Sequence, residues 1–441
     1  MTSPEPTPES AKAALAALPE PLRRHLAETV MPLCGWRIDE AASPVPDLAS
    51  RRIGFFCRRL LRSGSGRVMI EQLAALQAAG AETDVYYFEE GVDADVEAEI
   101  RFRCPGVRRI RRVSRRLASW RTLALELAPR RHDLFISTDT QDPFIFGSTV
   151  ARFGLMRPPR VAAVIHEEYD RYLAFLRPHA AGLAALCLDY DFTGRLRALY
   201  GPALPAGIVS PLFPLKGQPA PDAALRGALG IPPEARVLAY AGRLDRNKQV
   251  EFLAAVLEDL LAEGRNVWLL LAGRWEEEAY RLEVRALLDR EVALPGGGRL
   301  RLADRVRETG PVPSLGPVYA AADLFVFASK VEGFYPLVVM EAQQAGVPVV
   351  CTGVGGLDRV ILDGVTGCLA PVTPGPAEAA LRADTRRVFA GQAARLLDEP
   401  ARARAIGRAG AQVVEFLTRQ YPYSRLFLKW VQSVLEPGRR P

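Results

Sequence analysis

Residues 237–248 read Val-Leu-Ala-Tyr-Ala-Gly-Arg-Leu-Asp-Arg-Asn-Lys, an apolar run that stops at a glycine and is followed at once by a cation. A continuous apolar run of this kind reads as a strand covered on both faces. Val250 to Ala262 behind it reads as a helix. Arg243 follows the strand directly and Lys248 lies in the loop before the helix, so both cations are expected at the carboxyl edge of a sheet, where open α/β folds gather ligands. Positive charge at a helix start is unfavourable to the helix dipole. That misfit favours a ligand-binding role over a pair of plain surface cations.

Outward from this stretch the same alternation continues. Val267–Ala272, Leu324–Phe327 and Val347–Val350 read as further strands and Tyr280–Arg290 as a helix. Upstream, Ile53-Gly-Phe-Phe reads as a strand, Ser63-Gly-Ser-Gly66 as a turn, and Val68–Ala79 as a helix closed by Gly80. Strands at Asp84–Phe88, Asp133–Ser137 and Val161–Ile165 follow. Prolines 202, 205, 211, 214, 219 and 221 interrupt the pattern where a domain boundary is expected. The expected fold is α/β, with two doubly wound Rossmann-like domains facing each other across a cleft. The expected domains are an extension over 1–48, a first domain over 49–210, a second over 211–415, and a helical segment over 416–441 that packs back on the first.

At 441 residues and 49% hydrophobic the chain is long enough for two cores. Its net charge of +6 coexists with 51 acidic residues, which excludes a polycationic nucleic-acid arm. Arg101, Arg103, Arg108, Arg109, Arg111, Arg112, Arg115 and Arg116 crowd together among apolar residues, a pattern that fits an anionic membrane surface or simply a solvated basic face. Nothing there supplies the aromatic interleaving of single-strand nucleic-acid binders. The six cysteines lack paired spacing, and the start MTSPEPTPES is unlike a secretory signal. A cytoplasmic protein is expected, with any attachment to the inner face of a membrane peripheral, because no apolar run approaches the roughly 18–20 residues of a spanning helix.

Glu332-Gly333-Phe334-Tyr335-Pro336 falls between the strand ending near Ala328 and a helix beginning near Leu337, so its backbone amides are a natural site for an anion or a hydroxyl. Glu341 then falls in the first turns of the helix, where a carboxylate can accept both hydroxyls of a ribose or can simply suit the helix dipole. Gly346 ends the helix before the next strand, and Gly355-Gly356 follow that strand. Two cations, a glycine-containing loop and carboxylates together are what a sugar diphosphate requires.

In this order the motifs resemble the carboxyl-terminal domain of the retaining GT-B glycosyltransferases, in particular glycosyltransferase family four. The resemblance covers residues 235–371 and, more loosely, 52–210. It implies that Arg243 and Lys248 hold the donor diphosphate, and that Glu332 with the backbone of Gly333, Phe334, Tyr335 and Pro336 faces the donor sugar. It further implies that Glu341 binds the ribose, that Pro311 and Val312 read the base through backbone groups, and that Gly64 and Gly66 let the backbone approach the substrates. His166 resembles a residue near the sugar; alone it reads equally as structural. The chain departs from the pattern in four features. Eight residues instead of seven separate Glu332 and Glu341, Tyr335-Pro336 replaces the usual second glycine, Arg359 stands where Glu is common, and the segment before Arg52 is additional.

The resemblance implies transfer of a sugar, with retention, from a nucleotide-diphosphate sugar to a glycan or lipid-linked acceptor, as in surface polysaccharide or glycoconjugate synthesis. It needs no metal and no other cofactor. Asp93-Ala-Asp95 and Asp189-Tyr-Asp191 look like the metal motif of the other glycosyltransferase fold but read here as chance. A sugar phosphorylase, a nucleotide-sugar epimerase and a non-catalytic nucleotide-sugar-binding scaffold are the alternatives.

Overall fold

The computed structural model describes residues 7–34, 37–38, 45–60, 64–88, 94–113, 117–128, 131–138, 146, 152–154, 160–165, 184–187, 206–208, 223–332, 335–372 and 383–436. The chain divides into two compact units, one of Met1–Ala11, Met31–Pro211 and Gln420–Pro441, the other of Lys12–Val30 and Leu212–Arg419.

In the first unit the strands β1 (Arg52–Cys57), β2 (Glu82–Tyr87), β3 (Val107–Arg112), β4 (Leu134–Thr138), β5 (Arg160–Ile165), β6 (Ala184–Cys187) and β7 (Ala206–Ile208) form one sheet in the order β3-β2-β1-β4-β5-β6-β7. Every described pairing in it is parallel. Ile53 to Cys57 are buried, as a strand covered on both faces must be, and Phe56 packs its ring 4.9 Å from that of Tyr86 and 4.8 Å from that of Phe135. The helix Gly64–Ala78 starts earlier than the sequence reading has it, so Gly64 and Gly66 lie in its first turn and not in a preceding loop. Ser63 lies outside the described residues.

The arginine-rich stretch is the end of a helix (Ala94–Arg103) followed by the edge strand β3. Arg101 pairs with Glu97, Arg103 with Glu71 and Glu99, Arg108 with Glu82, and Arg109 and Arg111 with Glu126. Charged side chains on an edge strand discourage pairing with another chain. With only Val107 and Ile110 apolar among four arginines, the strand has neither an apolar run nor an alternation to reveal it by hydrophobicity. Arg115 and Arg116 lie outside the described residues.

The helix Tyr423–Leu435 packs on the helix Gly64–Ala78, with Gln72 Nε2 donating to the Tyr423 hydroxyl at 2.7 Å. Arg160 of β5 donates to the Val434 and Leu435 carbonyls at the end of that helix, at 2.6 and 2.7 Å. No helix among the described residues is long and apolar enough to cross a membrane. Cys57, Cys104, Cys351 and Cys368 are buried and not joined in disulfides.

In the second unit β8 (Arg236–Ala241), β9 (Val267–Ala272), β12 (Val306–Gly310), β13 (Leu324–Phe327), β14 (Val349–Thr352) and β15 (Cys368–Ala370) form a parallel sheet in the order β12-β9-β8-β13-β14-β15. A small antiparallel hairpin of β10 (Glu291–Ala293) and β11 (Arg299–Arg301) stands apart. With that hairpin set aside, both sheets begin in the doubly wound order, and strand order reverses between β8 and β13 in the second. The helix Leu337–Gln344 closes at Gly346 (φ 76°), whose N–H reaches Gln343 O at 2.8 Å while Val347 N–H reaches Ala342 O at 2.9 Å. This paired closure sets the sharp turn into β14.

The segment expected as an extension carries structure of its own. Helices Pro8–Ala16 and Glu20–His25 lead into a π-turn over Leu26–Val30, and Leu22, Leu26 and Val30 are buried. His25 Nε2 lies 3.2 Å from the Val360 carbonyl, which can only accept, so that nitrogen carries the proton. Burial holds the His25 pKa below its ordinary 6.5, outweighing the effect of that hydrogen bond.

Two outcomes follow from this packing. A Cβ at Gly407 would lie 2.0 Å from the Gly346 carbonyl oxygen, so Gly407→Ala is expected to cost about 1–3 kcal/mol in urea unfolding, against the ~1 kcal/mol that helix propensity alone would gain. For His25, the unfolded chain binds the proton more readily, so its contribution is present above about pH 6.5 and is lost as pH falls through the lower folded value. Limited proteolysis of residues 12–30 should accelerate below about pH 6, and His25→Gln should flatten that dependence.

Candidate active site

Three loops at the carboxyl edge of the second sheet meet at its switch point. The first leaves β8. The buried Tyr240 hydroxyl donates to the Arg243 carbonyl at 2.7 Å; burial first, then the carboxylates of Glu332 and Asp245, push its pKa well up, so it remains a donor. Gly242 N–H donates to Ala272 O at 2.9 Å, and a Cβ at Gly273 would stand 1.8 Å from the Gly242 carbonyl oxygen. Only glycine permits the loops after β8 and β9 to touch this closely. Asp245 then folds the chain back: Oδ1 accepts from the backbone N–H of Asn247 and of Lys248, both at 3.0 Å, and Oδ2 lies 3.1 Å from Arg243 Nη1. The Arg243 side chain is 45% exposed, so its planar guanidinium borders solvent while one carboxylate orients it.

The second loop leaves β13. Ser329 Oγ and Lys330 N–H both donate to the Asn247 carbonyl, at 3.1 and 2.9 Å. Ser329 N–H donates to Thr352 Oγ1 at 3.1 Å, which ties in the end of β14. Glu332 comes next, and its carboxylate meets the ammonium of Lys248 in a direct ion pair, 84 residues apart in sequence. Both residues are buried, at 8% and 9% exposure. The Lys248 ammonium also lies 5.5 Å from the Phe327 ring centroid, within cation–π range. An ammonium has three donors and Glu332 uses one direction, so Lys248 is able to bind Glu332 and a further oxyanion at once.

Beyond Glu332 the Tyr335 ring is buried and its hydroxyl bonds to Gln343 in the following helix. The side chain in place of the usual glycine thus anchors this end of the loop in the core. Pro336 caps the helix Leu337–Gln344 and has no N–H, so it adds no donor to the amide cradle expected over 333–336. Gly333 and Phe334 lie outside the described residues, as does His166. Glu341 is only 2% exposed and accepts from the Tyr319 hydroxyl at 3.0 Å. Pro311 and Val312 follow β12 on the same sheet edge, while Gly64 and Gly66 belong to the first unit.

The structure therefore joins Lys248 to Glu332 and places Arg243 in the same turn. The residues that organise them, Asp245, Asn247 and Ser329, were not singled out in the sequence, although Asp-Arg-Asn is a recognisable turn former. Gln249 was also missed. It adopts φ 49°, uncommon for a residue other than glycine, is 2% exposed, and its Oε1 has no hydrogen-bond partner among the described residues. No group of three or more metal-ligating residues occurs among the described residues; Asp95 opens a helix, and Asp93, Asp189 and Asp191 lie outside them.

Because the pair is buried, removing one partner strands a charge. Glu332→Ala is expected to destabilise the second unit by about 3 kcal/mol, whereas Lys248→Met with Glu332→Leu should cost markedly less, as read from urea unfolding of the single and double variants.

Known proteins resemble this chain in sequence over part of the second unit and in fold over most of its length. Residues 235–387 match the family Glycosyl transferases group 1. The D-inositol 3-phosphate glycosyltransferase of Segniliparus rotundus is 33% identical over 209 residues, which cover 47% of this chain and 41% of that protein. That of Corynebacterium diphtheriae is 37% identical over 148 residues, 33% of each chain. The match thus spans well under half the length of these curated relatives. Among solved structures, Anabaena Alr3699/HepE in complex with UDP and glucose superposes with a TM-score of 0.68 at 17% identity, over 87% of this chain and 99% of that one. Sucrose-phosphate synthase from Thermosynechococcus elongatus gives 0.65 at 19% identity, over 87% and 99%. Residues 235–387 accordingly carry a Glycosyl transferases group 1 domain, within a chain that has the GT-B fold of two Rossmann-like domains.

Proposed function

We propose that the protein is a retaining glycosyltransferase that moves a hexose-type sugar from a nucleoside-diphosphate sugar to a glycan or lipid-linked acceptor, in surface polysaccharide or glycoconjugate synthesis at the cytoplasmic side. The observation that carries this reading is the meeting of Lys248 with Glu332 at the switch point of the second sheet, with Arg243 in the same turn. As the bond between the anomeric carbon and the diphosphate oxygen breaks, negative charge accumulates on that oxygen. Arg243 and Lys248 stabilise it more in the transition state than in the bound donor. The acceptor oxygen then bonds the anomeric carbon on the same face, and its proton passes to the departing phosphate. With two fixed cations on the leaving group, this scheme needs no metal.

Glu332, held by Lys248, faces the sugar with the backbone of Gly333, Phe334, Tyr335 and Pro336 as the family resemblance has it, and Glu341, oriented by Tyr319, accepts the ribose hydroxyls. Pro311 and Val312 read the base through backbone groups, while Gly64, Gly66 and His166 keep the roles that the family resemblance gives them. The named activity of the curated relatives and the UDP and glucose held by the Anabaena protein support this class of donor. The ion-paired arginines of 101–111 add no membrane role to the proposal, since five of them already face carboxylates.

A thermal-shift panel of nucleotide sugars, starting with UDP-glucose, tests the reading. A true donor at 100 times its Kd stabilises the native state by about 2.7 kcal/mol and is consumed when acceptor is present. Lys248→Met and Arg243→Met should each lower kcat by roughly 100-fold or more. Consumption that requires inorganic phosphate would mark a phosphorylase, binding without turnover a scaffold, and absence of any shift would refute the donor site.

A further inference from the structure

We infer that Asn247 is the positioning residue of this site, clasping the loop after β8 to the loop after β13 so that Lys248 and Glu332 meet. The inference rests on the functional reading of that pair given above. Four hydrogen bonds cross between the two loops at this one residue. Its carbonyl accepts from Lys330 N–H at 2.9 Å and from Ser329 Oγ at 3.1 Å. Its side-chain amide donates through Nδ2 to the Val331 carbonyl at 3.0 Å and accepts through Oδ1 from Val331 N–H at 3.1 Å.

The placement is what gives the clasp a function. Asn247 directly precedes Lys248, and Val331 directly precedes Glu332. The side-chain amide satisfies both backbone groups of Val331, so it locks that residue in one orientation whatever side chain Val331 carries. The next residue on each strand of the clasp is then the charged one. Lysine and glutamate side chains have much rotamer freedom to lose, and a buried pair of them gains from contact only if geometry is good. Fixing both backbones sets the point from which each side chain starts, so only the side-chain rotamers remain to be ordered when the charges meet.

The Asn247 carboxamide is suited to this in a way that few side chains are. It offers one donor and one acceptor in a plane, which matches the N–H and C=O of a single residue. Aspartate would keep the acceptor but set a second oxygen against the Val331 carbonyl. Asp245, which caps the N–H of Asn247 and Lys248, holds the other side of the turn. The clasp therefore extends from Asp245 through Asn247 to Val331, and on through Ser329 to Thr352.

Two measurements on the full-length chain test it. Reductive methylation followed by peptide mass spectrometry reads the Lys248 ammonium directly. Asn247→Ala and the nearly isosteric Asn247→Asp should each label Lys248 several-fold faster than the native protein, with the exposed Lys12 unchanged as internal control. In turnover with UDP-glucose, or the donor found by the panel above, Asn247→Ala should lower kcat at least tenfold with a smaller change in KM. Adding it to Glu332→Gln should cost much less than the product of the single effects, because both act through one pair. Unchanged Lys248 labelling in both variants, or independent effects on kcat, overturns the inference. If the native protein transfers no sugar, the functional reading fails, and labelling alone decides the clasp.

Discussion

The second unit is organised by a consequence of its strand order. Chain connections from β8 run to β9 on one side while β13 begins the other side, so the loops leaving β8 and β13 emerge as neighbours and are held together. Between them this protein buries a lysine from one loop against a glutamate from the other, both at less than a tenth of full exposure. Isolated charges there would be costly. As a pair, bound by backbone-level contacts between their loops, they persist, and the energy of each is coupled to the position of the other.

The same loops show how local chemistry serves that arrangement. Asp245 divides its two oxygens between the turn that presents Lys248 and the guanidinium of Arg243, so one carboxylate orients both residues. Tyr240 fixes the Arg243 carbonyl, and Gly273 lets the neighbouring loop approach at a distance no Cβ would allow. Tyr335, which replaces the glycine usual in the family pattern, is buried and bonded to Gln343. The longer loop is thus anchored at its far end, immediately before the helix that carries Glu341.

Much of this was readable in advance where burial leaves a compositional trace. The strands β1, β8, β9 and β13 are continuous apolar runs because helices cover both their faces, and hydrophobicity alone finds them. Edge strand β3 escaped the same reading, since one strand neighbour and exposed arginines leave only Val107 fully buried. β12, at the opposite sheet's edge, was missed for the same reason. The helices of the first 30 residues pack through contacts such as His25 with Val360, whose partner lies hundreds of residues away.

By itself the sequence determined the class of fold, the loops that carry the candidate site, and the identity of the cations and carboxylates in it, because strand composition and motif order are local properties. Only the tertiary structure decided which of them meet. Lys248 finds Glu332 across 84 residues, while Glu341 is bonded to Tyr319 instead. Asn247 gains its importance solely from the backbone of Val331, and hydrogen bonds to backbone leave no mark on the partner's side chain and so none in the sequence.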